Sequence, residues 1–234
     1  MIPLDSFTLS VLIFLLVIGP AVGNYACSVV YRLPRGKTPF ERHPFCGHCN
    51  ADLKPIDLFP ILSWLSTRGK CRYCGGAIPG MYTVIELACG ALFIANFLHF
   101  GMSEAFLLLS AAGVFVVILA AIQWQHGWIS ASIYSYAFLS VMLARALAEH
   151  TIYGTIHGSF LMLVLALAVE RAMRRQSFAP FTRPWIWWMV LLGALTPMAQ
   201  WTWLLPVAAL AAVLPRSAQA AWFAAVALTA IVII

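Results

Sequence analysis

The sequence predicts an all-α polytopic membrane protein with about eight transmembrane helices and a small four-cysteine loop after the first of them. Three observations predict it. The 234 residues are 62% hydrophobic and 9% charged, with a mean hydropathy of +0.89, whereas a soluble domain carries roughly 25% charged residues. Apolar runs of bilayer length recur along most of the chain. The basic residues gather instead in one stretch, with eight of the fourteen Lys and Arg between Arg32 and Arg72. A soluble enzyme, a disordered tail and a secreted disulfide scaffold are thereby excluded. The formal charge of +6 belongs to a loop, and no nucleic-acid module accompanies it.

A helix rises about 1.5 Å per residue, so a span needs about 20 apolar residues. The first candidate runs from Phe7 to Val30, followed by Tyr82 to Phe100, Ala105 to Trp124, Trp128 to Leu147 and Ile152 to Glu170. The apolar run from Pro184 to Leu214 is too long for one span and contains Pro197 and Pro206, so it divides near Gln200 into two short helices. Ala218 to Ile234 closes the series. The first segment is no secretory signal peptide, because it lacks a basic flank before its apolar stretch and runs straight into a basic loop.

That loop, with Arg32, Arg35, Lys37, Arg42, Lys54, Arg68, Lys70 and Arg72, belongs in the cytoplasm by the positive-inside rule, which puts the N-terminus outside. Counting onward places the Gln123 to Gly127 turn and the loop with Arg171, Arg174, Arg175 and Arg183 inside, and Arg216 inside if the long run is two helices. Arg145 is the exception, near the outer end of the fourth span, where it is expected to snorkel or pair with Glu149. The halves divide as an N-terminal 1–100, with the cysteine loop at 32–80, and a C-terminal membrane half at 101–234. The tryptophans near span ends, such as Trp124, Trp128, Trp185 and Trp203, fit interfacial belts facing membrane lipid.

Cys46, Cys49, Cys71 and Cys74 form two C-x-x-C pairs separated by 21 residues. Each pair can present two thiolates to one ion, and together they complete the tetrahedral four-sulfur shell that structural zinc prefers. A reducing cytoplasm disfavours disulfides, and Arg42, Lys70 and Arg72 help to keep thiolates ionised. A closed four-sulfur shell has no open position for water, so the ion's expected role is to hold the loop together. His48, inside the first pair, reads as a bystander, and Cys27 and Cys89 as small apolar filler within spans. Between the pairs, Leu58, Phe59, Ile61, Leu62 and Trp64 with Asp57 and Arg68 suit a small fold packed against the membrane face.

These residues resemble the N-terminal half of the type IV prepilin leader peptidase and N-methyltransferase family. Three blocks carry the resemblance: G-N-Y-A-C-S-V-V-Y-R-L-P-R-G from Gly23 to Gly36; the cysteine loop with D-x-x-P-x-x-S-W from Asp57 to Trp64 and R-G-K-C-R-Y-C-G from Arg68 to Gly75; and Y-T-V-I-E-L-A-C-G from Tyr82 to Gly90. The resemblance implies a bacterial inner-membrane protein with a cytoplasmic zinc loop. It also implies two activities: cleavage of the leader of prepilins or type II secretion pseudopilins, and methylation of the new N-terminal amine from S-adenosylmethionine.

The second half departs from the family. Members with peptidase activity carry one aspartate at the cytoplasmic end of a span and a second in a G-x-G-D loop. The first setting aligns here with Ile122 to His126, which puts Gln123 in the catalytic place, and the second falls in Arg171 to Trp185, which contains no acid. An aspartyl peptidase shares one proton between paired acids, one acting as base toward water and the other as acid toward the amide. Glutamine can do neither. Glu104, Glu149 and Glu170 are the only carboxylates after Glu86; the topology puts the first two outside and sets Glu170 beside arginines.

The resulting expectation is a family member that retains the zinc-loop half, has lost leader cleavage, and can retain N-methyl transfer. Glu86 and Asp57 are the expected polar anchors of that site, with Arg32, Arg68 and Gly90 shaping it. A non-catalytic prepilin-binding or assembly partner is the alternative. An active leader peptidase with an atypical site is a second one.

Overall fold

The computed structural model describes residues 5–38, 44–128, 130–149, 156–164, 167, 184–195, 222–223 and 225–228. It forms two compact units, Met1–Leu98 and His99–Ile234. The fold is all-helical: among the described residues there is no strand, only two isolated antiparallel bridges in the cysteine loop.

In the first unit, α1 (Ser6–Arg32) begins at Asp5, whose carboxylate accepts the Thr8 N–H at 2.8 Å. It ends in a 3-10 turn, Leu33–Arg35, that stops at Gly36 in the left-handed region. A second 3-10 turn (Pro55–Leu58) and the short α2 (Leu62–Ser66) lie in the loop, and α3 (Met81–Phe100) returns. Helices α1 and α3 cross closely because small residues line the crossing. A Cβ on Gly19 would sit 2.8 Å from the Gly90 Cα, and one on Gly23 only 2.6 Å from the Glu86 Cα. Such close backbone approach is what small residues permit between membrane helices.

In the second unit, α4 (Glu104–His126) is capped by the Ser103 hydroxyl, which accepts the Phe106 N–H at 3.2 Å. Gly127, with φ 74°, terminates it. Helix α5 (Ala131–Glu149) packs on α4, and both helices bury alanines, among them Ala112, Ala121, Ala137 and Ala144. Residues 156–164 are helical (α6), as is Pro184–Leu195 (α7).

Three helices, over Ser6–Arg35, Met81–Phe100 and Glu104–His126, are long and apolar enough to cross a membrane, and Ala131–Leu147 and Ile186–Leu195 are shorter apolar helices. The protein is thus a polytopic membrane protein, and the first four predicted spans coincide with α1, α3, α4 and α5 to within a few residues. The split near Gln200, Pro197, Pro206, Arg216, Glu170 and the basic loop Arg171 to Arg183 lie outside the described residues. Arg145 does not snorkel. It is 3% exposed, and its guanidinium donates to the Leu195 carbonyl at 3.3 Å. The Glu149 side chain lies outside the described ones.

Candidate metal centre and adjoining cavity

The two C-x-x-C pairs fold into knuckles of the same design. In the first, the Cys46 N–H donates to the Ala51 carbonyl and the Asn50 N–H to the Cys46 carbonyl, both at 2.9 Å. In the second, the Cys71 N–H donates to the Gly76 carbonyl at 2.8 Å and the Gly75 N–H to the Cys71 carbonyl at 2.9 Å. The residue after each pair turns left-handed, Asn50 at φ 55° and Gly75 at φ 71°. Asparagine and glycine tolerate that region best, which explains their places in the sequence.

Facing each other, the knuckles bring all four sulfurs within 4.8 Å of one another, a donor set that can bind a metal ion. The first cysteine of each pair is buried and the second exposed. Backbone N–H groups of Cys49 and His48 draw the Cys46 thiol down to about 6. At Cys74 the Gly76 N–H also lowers the thiol, but burial and hydrogen bonds with the neighbouring sulfurs outweigh it and leave that thiol at about 11. His48 stays outside the sulfur set, with its Nε2 3.2 Å from the Ala77 carbonyl.

The segment between the knuckles is tied at both ends. Asp57 caps its own 3-10 turn by accepting the Lys54 N–H at 3.1 Å, accepts the Tyr73 hydroxyl at 2.8 Å, and pairs with the Arg72 Nε at 3.0 Å. Burial raises the Asp57 carboxyl, but the Tyr73 and Lys54 bonds and the charges of Arg72 and Lys54 prevail and hold it below the ordinary carboxylate range. The second tie reaches the spans. Glu86 on α3 accepts the Ile61 N–H at 2.7 Å and the Asn24 side-chain amide of α1 at 3.0 Å, and that amide also donates to the Leu58 carbonyl at 3.3 Å.

A cavity of about 410 Å³ opens between the knuckles, the end of α1 and the start of α3. Arg32, Asp57 and Glu86 line it together with the aromatic residues Tyr31, Trp64 and Tyr82. Arg32 is 7% exposed and Glu86 6% exposed. Two expected site residues lie elsewhere. Arg68 is exposed on the turn after α2 and is not part of the lining, and Gly90 sits at the helix crossing against Pro20. Asn24, in contrast, was not among the expected site residues, although it is a lone amide inside an apolar run and lies in the block from Gly23 to Gly36.

In the second unit, Gln123 lies one turn before the end of α4, 2% exposed. Its side-chain oxygen accepts the indole N–H of Trp188, whose ring stacks on Phe223 with centroids 6.1 Å apart. The Gln123 amide nitrogen is buried without a hydrogen-bond partner among the described residues.

The fold and the site together define a polytopic membrane protein with a four-cysteine cluster, able to bind a metal ion, between its first two spans. Residues 17–100 match the family described as Bacterial Peptidase A24 N-terminal domain. The chain is similar to a prepilin leader peptidase/N-methyltransferase of Myxococcus xanthus, 37% identical over 120 residues that make up 50% of this chain and 35% of that protein. It is also similar to the proteins of the same description from Stutzerimonas stutzeri, at 32% identity over 43% of each chain, and from Bacillus subtilis, at 35% identity over 45% of this chain and 41% of the relative. The similarity to these prepilin leader peptidase/N-methyltransferase proteins is accompanied by a family match confined to residues 17–100. The similarity spans less than half the length of each of these relatives. No solved structure matches the chain.

Proposed function

We propose that this protein is a bacterial inner-membrane relative of prepilin peptidases that binds prepilins or pseudopilins of type IV pilus or type II secretion biogenesis, methylates their N-termini, and does not cut their leaders. The observation that carries the reading is the pairing of an intact metal knuckle and cavity in the first unit with a buried amide, Gln123, in the place of an acid in the second. In this reading the N-terminus is outside and the cysteine loop cytoplasmic, as its basic residues favour.

The ion is zinc. Four thiolates in two knuckles suit a closed tetrahedral site, and its role is to hold the loop. The cavity also fits S-adenosylmethionine, since about 410 Å³ falls in the usual range for small-molecule sites of roughly 300–1,000 Å³. When bound, that cofactor supplies an activated methyl group on a cationic sulfur. The aromatic faces of Tyr31, Trp64 and Tyr82 suit a cation, and Arg32 suits a carboxylate. The Asp57 and Glu86 carboxyls already hold the loop, so they act as positioning residues. The chain's part is to bind and orient the reactants, and alignment alone can remove a large share of a transfer barrier.

That engagement of both carboxyls also favours a second reading, a non-catalytic prepilin-binding or assembly partner. Incubating the purified, metal-loaded protein with a leaderless pilin and methyl-labelled S-adenosylmethionine tests the two. Label on the pilin N-terminus supports methyl transfer; binding of pilin without label supports the partner reading; the absence of both label and binding overturns both readings.

A further inference from the structure

We infer that the segment between the two knuckles, from Ile56 to Leu65, dips into the lipid bilayer and presents its apolar side chains to the acyl chains. The inference rests on the reading of α1 and α3 as membrane spans. Its first support is depth. The segment is fastened at Glu86, five residues inside the loop-side end of α3, and at Asn24, eight residues inside that of α1. At about 1.5 Å per residue these anchors lie roughly 8 and 12 Å along the helices, below the level of the loop. Around Glu86, α3 exposes Val84 at 63% and Leu87 at 53%, as a span does toward lipid.

The second support is the segment's own surface. Ile56, Phe59, Leu62 and Leu65 are exposed at 60%, 52%, 58% and 55%. Four neighbouring large apolar side chains left open to water are a costly surface. Exposed Lys54 and Arg68 bracket the segment in sequence, placed so that their charges can rise to anionic headgroups while their stems stay in the apolar layer.

The third is the backbone. Irregular chain at membrane depth must have its polar groups satisfied by protein, because hydrocarbon offers no partners. Here two prolines, Pro55 and Pro60, remove N–H donors outright. The Ile61 N–H goes to Glu86, the Leu58 carbonyl takes the Asn24 amide, and the Leu62 N–H closes a tight turn onto the Pro60 carbonyl. Ile61 itself is held at φ 63° and ψ −52°, a conformation that a β-branched residue adopts only under constraint. Two polar residues inside spans thus acquire a shared purpose: they supply the partners that water would supply to an ordinary loop.

The test is a nitroxide at position 59, attached in Phe59→Cys of the metal-loaded full chain carrying Cys27→Ala and Cys89→Ala, in vesicles of phosphatidylethanolamine and phosphatidylglycerol. Val84→Cys is the span reference, Lys54→Cys the water reference, and the parent without an added cysteine the blank. The expected result is relaxation by oxygen matching position 84, with relaxation by a water-soluble nickel chelate several-fold weaker than at position 54. Chelate access equal to that of position 54 overturns the inference. Shielding from both relaxants overturns it too, because a protein surface or a second copy then covers the segment. Chelate access at position 84 would bring down the span reading itself, and this inference with it. Leu62→Cys must give the same answer as Phe59→Cys, which decides the matter should one variant lose its metal.

Discussion

Replacing Glu86 with alanine removes a side chain that, together with Asn24, ties the knuckle segment to both spans. Two donors lose their acceptor, the Ile61 N–H at 2.7 Å and the Asn24 amide at 3.0 Å. An orphaned buried donor costs about 1–3 kcal/mol, but Asn24 keeps its bond to the Leu58 carbonyl, so the total falls to about 2–4 kcal/mol. Ile61 at φ 63° then has less to hold it there, and relaxing such a conformation returns about 1–3 kcal/mol to the open state. The effect is local, because the hydrogen bonds of the cysteine knuckles do not involve Glu86 and the Gly23 crossing meets its Cα, which alanine retains. Amide hydrogen exchange of residues 58–62, read by mass spectrometry in vesicles, should accelerate on the order of 30- to 1,000-fold at about 1.36 kcal/mol per factor of ten. Metal content should stay unchanged. Glu86→Gln keeps one acceptor and should fall between the two. Unchanged exchange in Glu86→Ala, with the protein folded and metal-bound, would refute the reasoning.

Cys46→Ser combined with Cys71→Ser should release an ion present at about one per chain and open the loop to protease; unaltered metal content in that variant contradicts the four-sulfur site. Asp57→Ala frees Arg72 and Tyr73, which flank and separate Cys71 and Cys74, and should weaken metal binding roughly tenfold in chelator competition. Gly23→Leu forces a side chain where even a Cβ would meet the Glu86 Cα at 2.6 Å, and should lower stability by about 1–3 kcal/mol or more in thermal unfolding. Trp188→Phe leaves the buried Gln123 oxygen without its donor and should cost about 1–3 kcal/mol in the same assay.

The parts legible in the sequence were those fixed by one strong local rule. Bilayer thickness sets the length of an apolar run, so α1, α3, α4 and α5 could be read from hydropathy. Tetrahedral coordination sets cysteine spacing, so the sulfur cluster could be read from two C-x-x-C pairs. Partners far apart in sequence were not legible. Glu86 stood out as an acid within a span, but its partners, Ile61 and Asn24, lie 25 and 62 residues away. Arg145 donates to the Leu195 carbonyl, 50 residues on, a partner that no local spacing announces. Gly90 and Arg68 sit in the blocks that resemble the family, but block membership says nothing about whether a residue lines a cavity or a helix crossing. The left-handed Ile61 had no signal at all, because isoleucine is among the residues least expected there.

The proposed loss of leader cleavage is decided by intact-mass spectrometry of a full-length prepilin incubated with the purified protein and no other peptidase. Loss of one member of a catalytic unit typically removes several powers of ten in rate. The leader should therefore stay on, in the wild type and in Gln123→Asp alike, since one restored carboxyl still lacks a partner to share its proton. Removal of the leader by the wild type, at a rate that Gln123→Ala abolishes, would contradict the proposed loss.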